Sequence, residues 1–184
     1  AVPIILKSGV IPVTIEFLEK LGLNAMEDYT GKKVPISERV RDDAEAFLII
    51  ITEGKSSEEA FRDAEFISDI CMKHGAIDIF IPPTERAGLE LLELREKAFY
   101  AAKDAGATDL VDVVVPRCEI PKFVEQMHEI SAKYATMIAG AGHAGDGNIH
   151  LAILEQDADK LYTILKEIYM VGKALGGTIS AEHG

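Results

Sequence analysis

The chain has 184 residues, with 31 Asp and Glu against 19 Lys and Arg, a net charge of -12 and 48% hydrophobic residues. That is enough apolar material for one compact domain with a continuous core, and no basic surface to neutralise a phosphate backbone or an anionic membrane. Apolar runs such as 47–51 are too short to cross a bilayer and no secretory signal is visible; Cys71 and Cys118 lack CxxC spacing, which fits a reducing cytosol.

Residues 1–45 read as an N-terminal helix and connecting arm. Pro12 suits a first helical position, Ile15, Leu18 and Leu21 follow at helical spacing, and Asn24 to Asp43 is polar and interrupted by Gly31 and Pro35. From residue 46 to 184 strands and helices alternate. A strand is expected over Phe47 to Thr52, then a helix capped by Ser56 with Glu59 reaching back, its stripe Ala60, Ala64, Ile67 and Cys71 ending at Gly75. Ile77 to Ile81 reads as a strand, Thr84 caps a helix to about Lys103, and Leu110 to Val115 is a further strand. Ile120-Pro121 opens a helix with Phe123, Val124, Met127, Ile130 and Tyr134 on its apolar side. Two runs about a Gly-Asp-Gly turn follow over 136–154, then a helix with Leu161, Ile164, Leu165 and Ile168, and a short strand over 178–180. A tight hairpin requires antiparallel neighbours, so the fold expected is α+β: a mostly antiparallel sheet with helices packed on one face, of ferredoxin-like character.

Gly140 to Gly145 matches the GxGxxG spacing of a dinucleotide turn, but that turn must open a helix, and Asp146-Gly147 sends this chain into another strand. The residues make better sense as a hairpin. A type I′ turn on Asp146-Gly147 places His143 directly opposite His150, near enough to share a divalent metal. Ala139, Ala141, Ala152 and Leu154 share the histidine face, and Ile138, Ile149, Leu151 and Ile153 form a core face. Two imidazoles need a further ligand, and Glu182-His183 is the best candidate; the other reading is a hydrogen-bonded histidine pair at a hairpin mouth. His74 and His128 read as surface residues on helices. Arg95 lies on the apolar line of Leu91, Leu92 and Phe99. It either grips a carboxylate bidentately or packs its stem while its head reaches water.

Gly142-His143-Ala144-Gly145-Asp146-Gly147-Asn148-Ile149-His150, with Ser180-Ala181-Glu182-His183-Gly184, closely resembles the two signatures of the C-terminal domain of FAD-linked 2-hydroxy-acid dehydrogenases. This group contains the glycolate oxidase D subunit, D-lactate dehydrogenase and D-2-hydroxyglutarate dehydrogenase, within the vanillyl-alcohol oxidase superfamily. Ser8 to Pro12 with Glu27-Asp28-Tyr29, and Asp112 to Arg117, look like other segments of that domain. The resemblance implies a cap domain over the flavin, with His143, His150 and Glu182 as divalent metal ligands, zinc first and iron or manganese also suited. It further implies His183 as the base, Arg95 as the substrate-carboxylate ligand, and Asp146 and Asn148 in the turn or behind the ligands. Ala152 and Leu110 stand where the hydroxyglutarate type has asparagine and lysine, which favours a small acid such as lactate or glycolate.

The function expected from the resemblance is hydride transfer from the substrate Cα to FAD. FAD would be held mainly by an upstream domain outside this chain, so the chain alone is expected to be colourless and inactive. The start at Ala1 and the stop at Gly184 agree with that expectation of a partial domain. The partners expected are a small 2-hydroxy acid, the FAD-binding domain and an electron-transfer subunit, with no nucleic acid and no transmembrane segment. The expected location is cytoplasmic, with any membrane association through a partner. Two other readings are an independent small-acid binding module without catalysis and a metal-dependent hydrolase. Glu182 and His183 are adjacent and would both serve the site, which implies irregular backbone there.

Overall fold

The computed structural model describes residues 1–179. Among these, six strands form one sheet in the order β2-β1-β4-β5-β3-β6, with every neighbouring pair antiparallel. The strands are β1 (Thr14–Glu19), β2 (Ala46–Ile51), β3 (Asp109–Val114), β4 (Met137–His143), β5 (Asn148–Leu154) and β6 (Thr178–Ile179). The helices are α1 (Val2–Ile5), α2 (Lys20–Thr30), α3 (Glu38–Asp43), α4 (Ser57–Lys73), α5 (Glu85–Arg95), α6 (Ala98–Asp104), α7 (Ile120–Tyr134) and α8 (Ala158–Ala174). The α+β class and the antiparallel sheet are those the hairpin requires.

Most of the core lies on one face. Ile138, Ile149, Leu151 and Ile153 project from β4 and β5 onto Phe123, Met127 and Ile130 of α7 and Ile164 and Ile168 of α8, all buried. The face assignment made from alternation therefore holds. A smaller cluster of Leu18, Leu23, Met26, Leu94 and Ala101 places α2, α5 and α6 over the other face. Buried Glu27 clasps this layer: it accepts from Arg41 Nη1 and Nη2 at 2.8 and 2.9 Å and from the Val34 amide at 2.7 Å. Burial raises the Glu27 carboxyl, but its hydrogen bonds from Arg41 and Val34 outweigh that and hold it below its ordinary value.

Local signals set most element ends. Ser56 accepts from the Glu59 amide at 3.2 Å, while Glu59 reaches one residue further back than a capping box requires, to the Lys55 amide at 2.8 Å. Thr84 caps α5 through the Ala87 amide at 3.2 Å. The helix expected to run to Lys103 instead breaks after Arg95, where the Lys97 amide bonds back to Leu94 in a tighter turn.

Two expectations are corrected. The helix expected from Pro12 is strand β1, and helix begins only at Lys20. Ile15 and Phe17 meet the main core while Leu18 belongs to the second cluster, so both faces of β1 are covered and the alternation of Thr14-Ile15-Glu16-Phe17 breaks at Leu18. Ile77 to Ile81 joins no ladder. Pro82-Pro83 removes two donors at its end, and the Asp78 carboxylate takes the Ile79 amide at 2.8 Å.

Gly172 marks where α8 seats on β3: a Cβ there would lie 2.4 Å from Val113 Cγ1. Gly to Ala inside a helix ordinarily stabilises by about 1 kcal/mol. Here the sign reverses, because Val113 is fully buried and cannot yield. Gly172→Ala is expected to cost about 1–3 kcal/mol, read as a lower urea midpoint; an unchanged or higher midpoint would contradict this packing.

Candidate active site at the histidine hairpin

The β4–β5 register pairs His143 with Asn148 and Ala141 with His150, so the two histidines are diagonal neighbours and not directly opposed. The expected two-residue turn needs positive φ at both central positions. Gly147 has φ 97°, but Ala135 is the one non-glycine residue with positive φ among the described residues, so Asp146 does not supply the other. The chain instead closes a longer turn, with the Asp146 and Gly147 amides both bonding to the His143 carbonyl at 3.2 and 2.9 Å. Asp146 Oδ1 accepts from the Asn148 amide at 2.9 Å, Gly145 bonds Ile15, and Arg117 Nη1 donates to the Gly145 carbonyl at 3.1 Å. The shift is two residues, which preserves the faces. His143 and His150 still share one side with Ala139, Ala141, Ala152 and Leu154, their rings 5.1 Å apart and nearly perpendicular at 89°.

Each histidine has a carboxylate directly across a strand. Glu16 of β1 pairs with His143 of β4, and Asp112 of β3 pairs with His150 of β5. His143 Nδ1 lies 3.0 Å from both Glu16 oxygens, and His150 Nδ1 lies 2.7 Å from Asp112 Oδ1. Donation from Nδ1 to a carboxylate selects the tautomer whose lone pair is on Nε2, the arrangement that orients metal-ligating histidines. Both acids are buried, at 7% and 3% exposure. Burial pushes the Glu16 carboxyl up; hydrogen bonds from Thr14 and His143 and the Arg95 charge outweigh it and hold the group below its ordinary value.

Arg95, at the last turn of α5, brings Nη2 to Glu16 Oε2 and to within 3.3 Å of His143 Nδ1. Of the two sequence readings, the packed stem with a head in solvent gives way to a charged pair inside the site. Asn148 is 4% exposed, and its Oδ1 has no hydrogen-bond partner among the described residues. A buried carbonyl oxygen on the histidine face is an acceptor for a group bound there.

The structure thus brings His143, His150, Arg95, Asp146 and Asn148 to one end of the sheet. Glu182 and His183, with the irregular backbone expected around them, lie outside the described residues. Among the described residues no group of three His, Cys, Asp or Glu stands ready to hold a metal ion. His128, expected as a surface residue, places Nε2 2.5 Å from Glu19 Oε1 on the far side of β1. Glu16 and Asp112 are the functional residues that sequence reasoning missed. Asp112 left a signal, a lone acid inside the β-branched run 110–115; Glu16 left only the short alternation Thr14-Ile15-Glu16-Phe17, outweighed by the helical spacing of Ile15, Leu18 and Leu21. Both line a cavity of about 320 Å³ between the sheet and α2 and α6, with Arg95 and the histidines at its polar end.

This histidine hairpin coincides with a whole-chain likeness. Residues 1–184 match the family described as FAD linked oxidases, C-terminal domain. The chain belongs to that family. It is 37% identical over 184 residues to an uncharacterized FAD-linked oxidoreductase of Mycobacterium tuberculosis, covering 100% of this chain and 40% of that protein. Against the glycolate oxidase subunit GlcD of Bacillus subtilis the identity is 36% over 186 residues, 98% of this chain and 38% of GlcD. Against the D-lactate dehydrogenase of Archaeoglobus fulgidus it is 28% over 176 residues, 95% and 37%. The chain therefore spans about 40% of the length of the curated relatives it matches. No helix among its described residues is long and apolar enough to cross a membrane.

Because the folded state holds Glu16 below 4.5, its charge stabilises the fold above that pH, and the contribution disappears as pH falls through the lowered value. Glu16→Gln is expected to lose about 1.5–3 kcal/mol at pH 7, with the difference from wild type shrinking below pH 4.5. Urea unfolding across pH 3 to 7 reads this directly, and a difference that grows on acidification would contradict it.

Proposed function

We propose that this chain forms the substrate side of an FAD-dependent 2-hydroxy-acid oxidoreductase that passes a hydride from the substrate Cα to the flavin. The observation that carries the reading is the pair of carboxylate-braced histidines set beside Arg95 at the polar end of one cavity. FAD would be held mainly by the part of the protein outside this chain, and an electron-transfer subunit would accept the electrons.

The donor set suits a divalent cation of the zinc, iron or manganese kind. His143 and His150 would hold it together with Glu182, and Glu16 and Asp112 fix the tautomers that ligation needs. When bound, the cation supplies Lewis acidity at the substrate hydroxyl and FAD supplies the hydride acceptor.

The chain's own residues bind and orient. Glu16 engages one terminal nitrogen of Arg95, and a guanidinium has five N–H donors, so its remaining edge can serve a substrate carboxylate. His183 takes the hydroxyl proton as the hydride leaves Cα. Asn148 Oδ1 offers the bound acid a buried acceptor. Leu110 and Ala152 bring no polar side-chain atom to the cavity, so a second carboxylate on the substrate would be desolvated without a partner.

In the FAD-loaded holoenzyme, Arg95→Met is expected to raise KM for a 2-hydroxy acid about 10- to 100-fold, the worth of a charge-assisted hydrogen bond. His150→Ala is expected to remove the bound metal, measured by elemental analysis, together with anaerobic flavin bleaching by substrate. Undiminished metal content and bleaching in His150→Ala would overturn the assignment.

A further inference from the structure

The cavity is far more apolar than a site for a two- or three-carbon acid needs to be. On the sheet its polar lining groups fall in two adjacent cross-strand rows, Glu16–His143 and Leu18–Ala141–His150–Asp112, and Arg95 and Glu96 are its other charged lining residues. Beyond them the same face continues as Leu110–Ala152–Ala139 and then as Leu154–Met137. At about 3.3 Å per residue, the last row lies about 13 Å along the strands from His150.

The opposite wall is equally unfunctionalised along this stretch. Leu21 and Ala25 of α2 and Phe99 and Ala102 of α6 face it, and α6 is free to begin there because the helix breaks after Arg95. Among the described lining residues Arg95 is the only Lys or Arg, so the inner stretch offers no countercharge for a second acid group. About 320 Å³ is at the lower end of sites that enclose whole small-molecule ligands, and glycolate or lactate, with a hydrogen or a methyl on Cα, would leave most of it unfilled.

We infer that the acid taken by this site carries an extended aliphatic side chain, which lies along the Ala152–Ala139 and Leu154–Met137 rows while the carboxylate and hydroxyl stay at Arg95 and the histidines. The inference rests on the function proposed above and specifies its substrate class. Small residues at Ala139, Ala141 and Ala152 then have a purpose: they set the depth of the trough in which the chain lies. Leu110 and Leu154 line its far end, where half-exposed Met137 borders solvent.

The test is a homologous series on the FAD-loaded holoenzyme: glycolate, lactate, 2-hydroxybutyrate, 2-hydroxyhexanoate and 2-hydroxyoctanoate, with both enantiomers wherever Cα is chiral. Each buried methylene is expected to raise kcat/KM about fourfold until the trough is full. The matching 2-oxo acids, as competitive inhibitors, are expected to tighten in the same order. Ala152→Phe fills the middle row and is expected to lower the hexanoate-to-lactate ratio of kcat/KM at least about tenfold. Ala139→Leu, a milder filling from the neighbouring strand, shifts it in the same direction if Ala152→Phe does not fold. A series that is flat or falls beyond lactate, with lactate or glycolate still reducing the flavin, overturns this inference and leaves the proposed function standing. A ratio unmoved by both substitutions also overturns it. Flavin that no 2-hydroxy acid of any length reduces removes the proposed function and this inference together.

Discussion

The site depends on strand register. Glu16 and Asp112 come from strands on either side of the hairpin, and each meets its histidine as the directly opposed residue of an antiparallel pair. A slip of one residue in β1 or β3 would turn its carboxylate into the apolar core and break its pair. The contacts that hold the register lie on the opposite face, in Ile149, Leu151 and Ile153 beneath the sheet, and in the Asp146 and Arg117 bonds that close the turn. One face of the hairpin is anchored so that the other can hold polar groups in place.

Burying two acids in a chain of net charge -12 is costly unless each is matched. Glu16 is met by Thr14, His143 and Arg95, and Asp112 by His150. These arrangements stiffen the imidazoles and the guanidinium at the same time, because one carboxylate, Glu16, touches both. Under the proposed function, metal affinity and substrate-carboxylate binding would be coupled through a residue that need not contact either ligand. The same acidic balance supplies, at this place, the carboxylates that orient a guanidinium and two imidazoles.

Much of this was legible in the residues. Alternation along 137–154 separates core from site face, and the Gly-Asp-Gly turn identifies an antiparallel hairpin and disposes of the dinucleotide reading of Gly140 to Gly145. Turn chemistry was the weak point: Asp-Gly permits more than one loop length, and the choice moved His143 from opposite His150 to opposite Asn148. Glu16 was hidden for another reason. Leu18, packed on the second face, breaks the period of two that Thr14-Ile15-Glu16-Phe17 begins, and Ile15, Leu18 and Leu21 then mimic a helix. Arg95 could be placed on its stripe but not paired, since its partner lies 79 residues away on that misread strand.

Glu16 and Asp112 meet Nδ1 of His143 and His150, and under the proposed function both Nε2 atoms would serve one shared ligand. Histidine-selective 15N NMR of the protein during zinc titration is the decisive measurement. Both residues are expected as Nδ1–H tautomers before zinc, and their Nε2 resonances are expected to move together at one equivalent, while His74 and His128 stay unchanged. An Nδ1 lone pair on either histidine before zinc, or Nε2 resonances that ignore zinc, would contradict this arrangement.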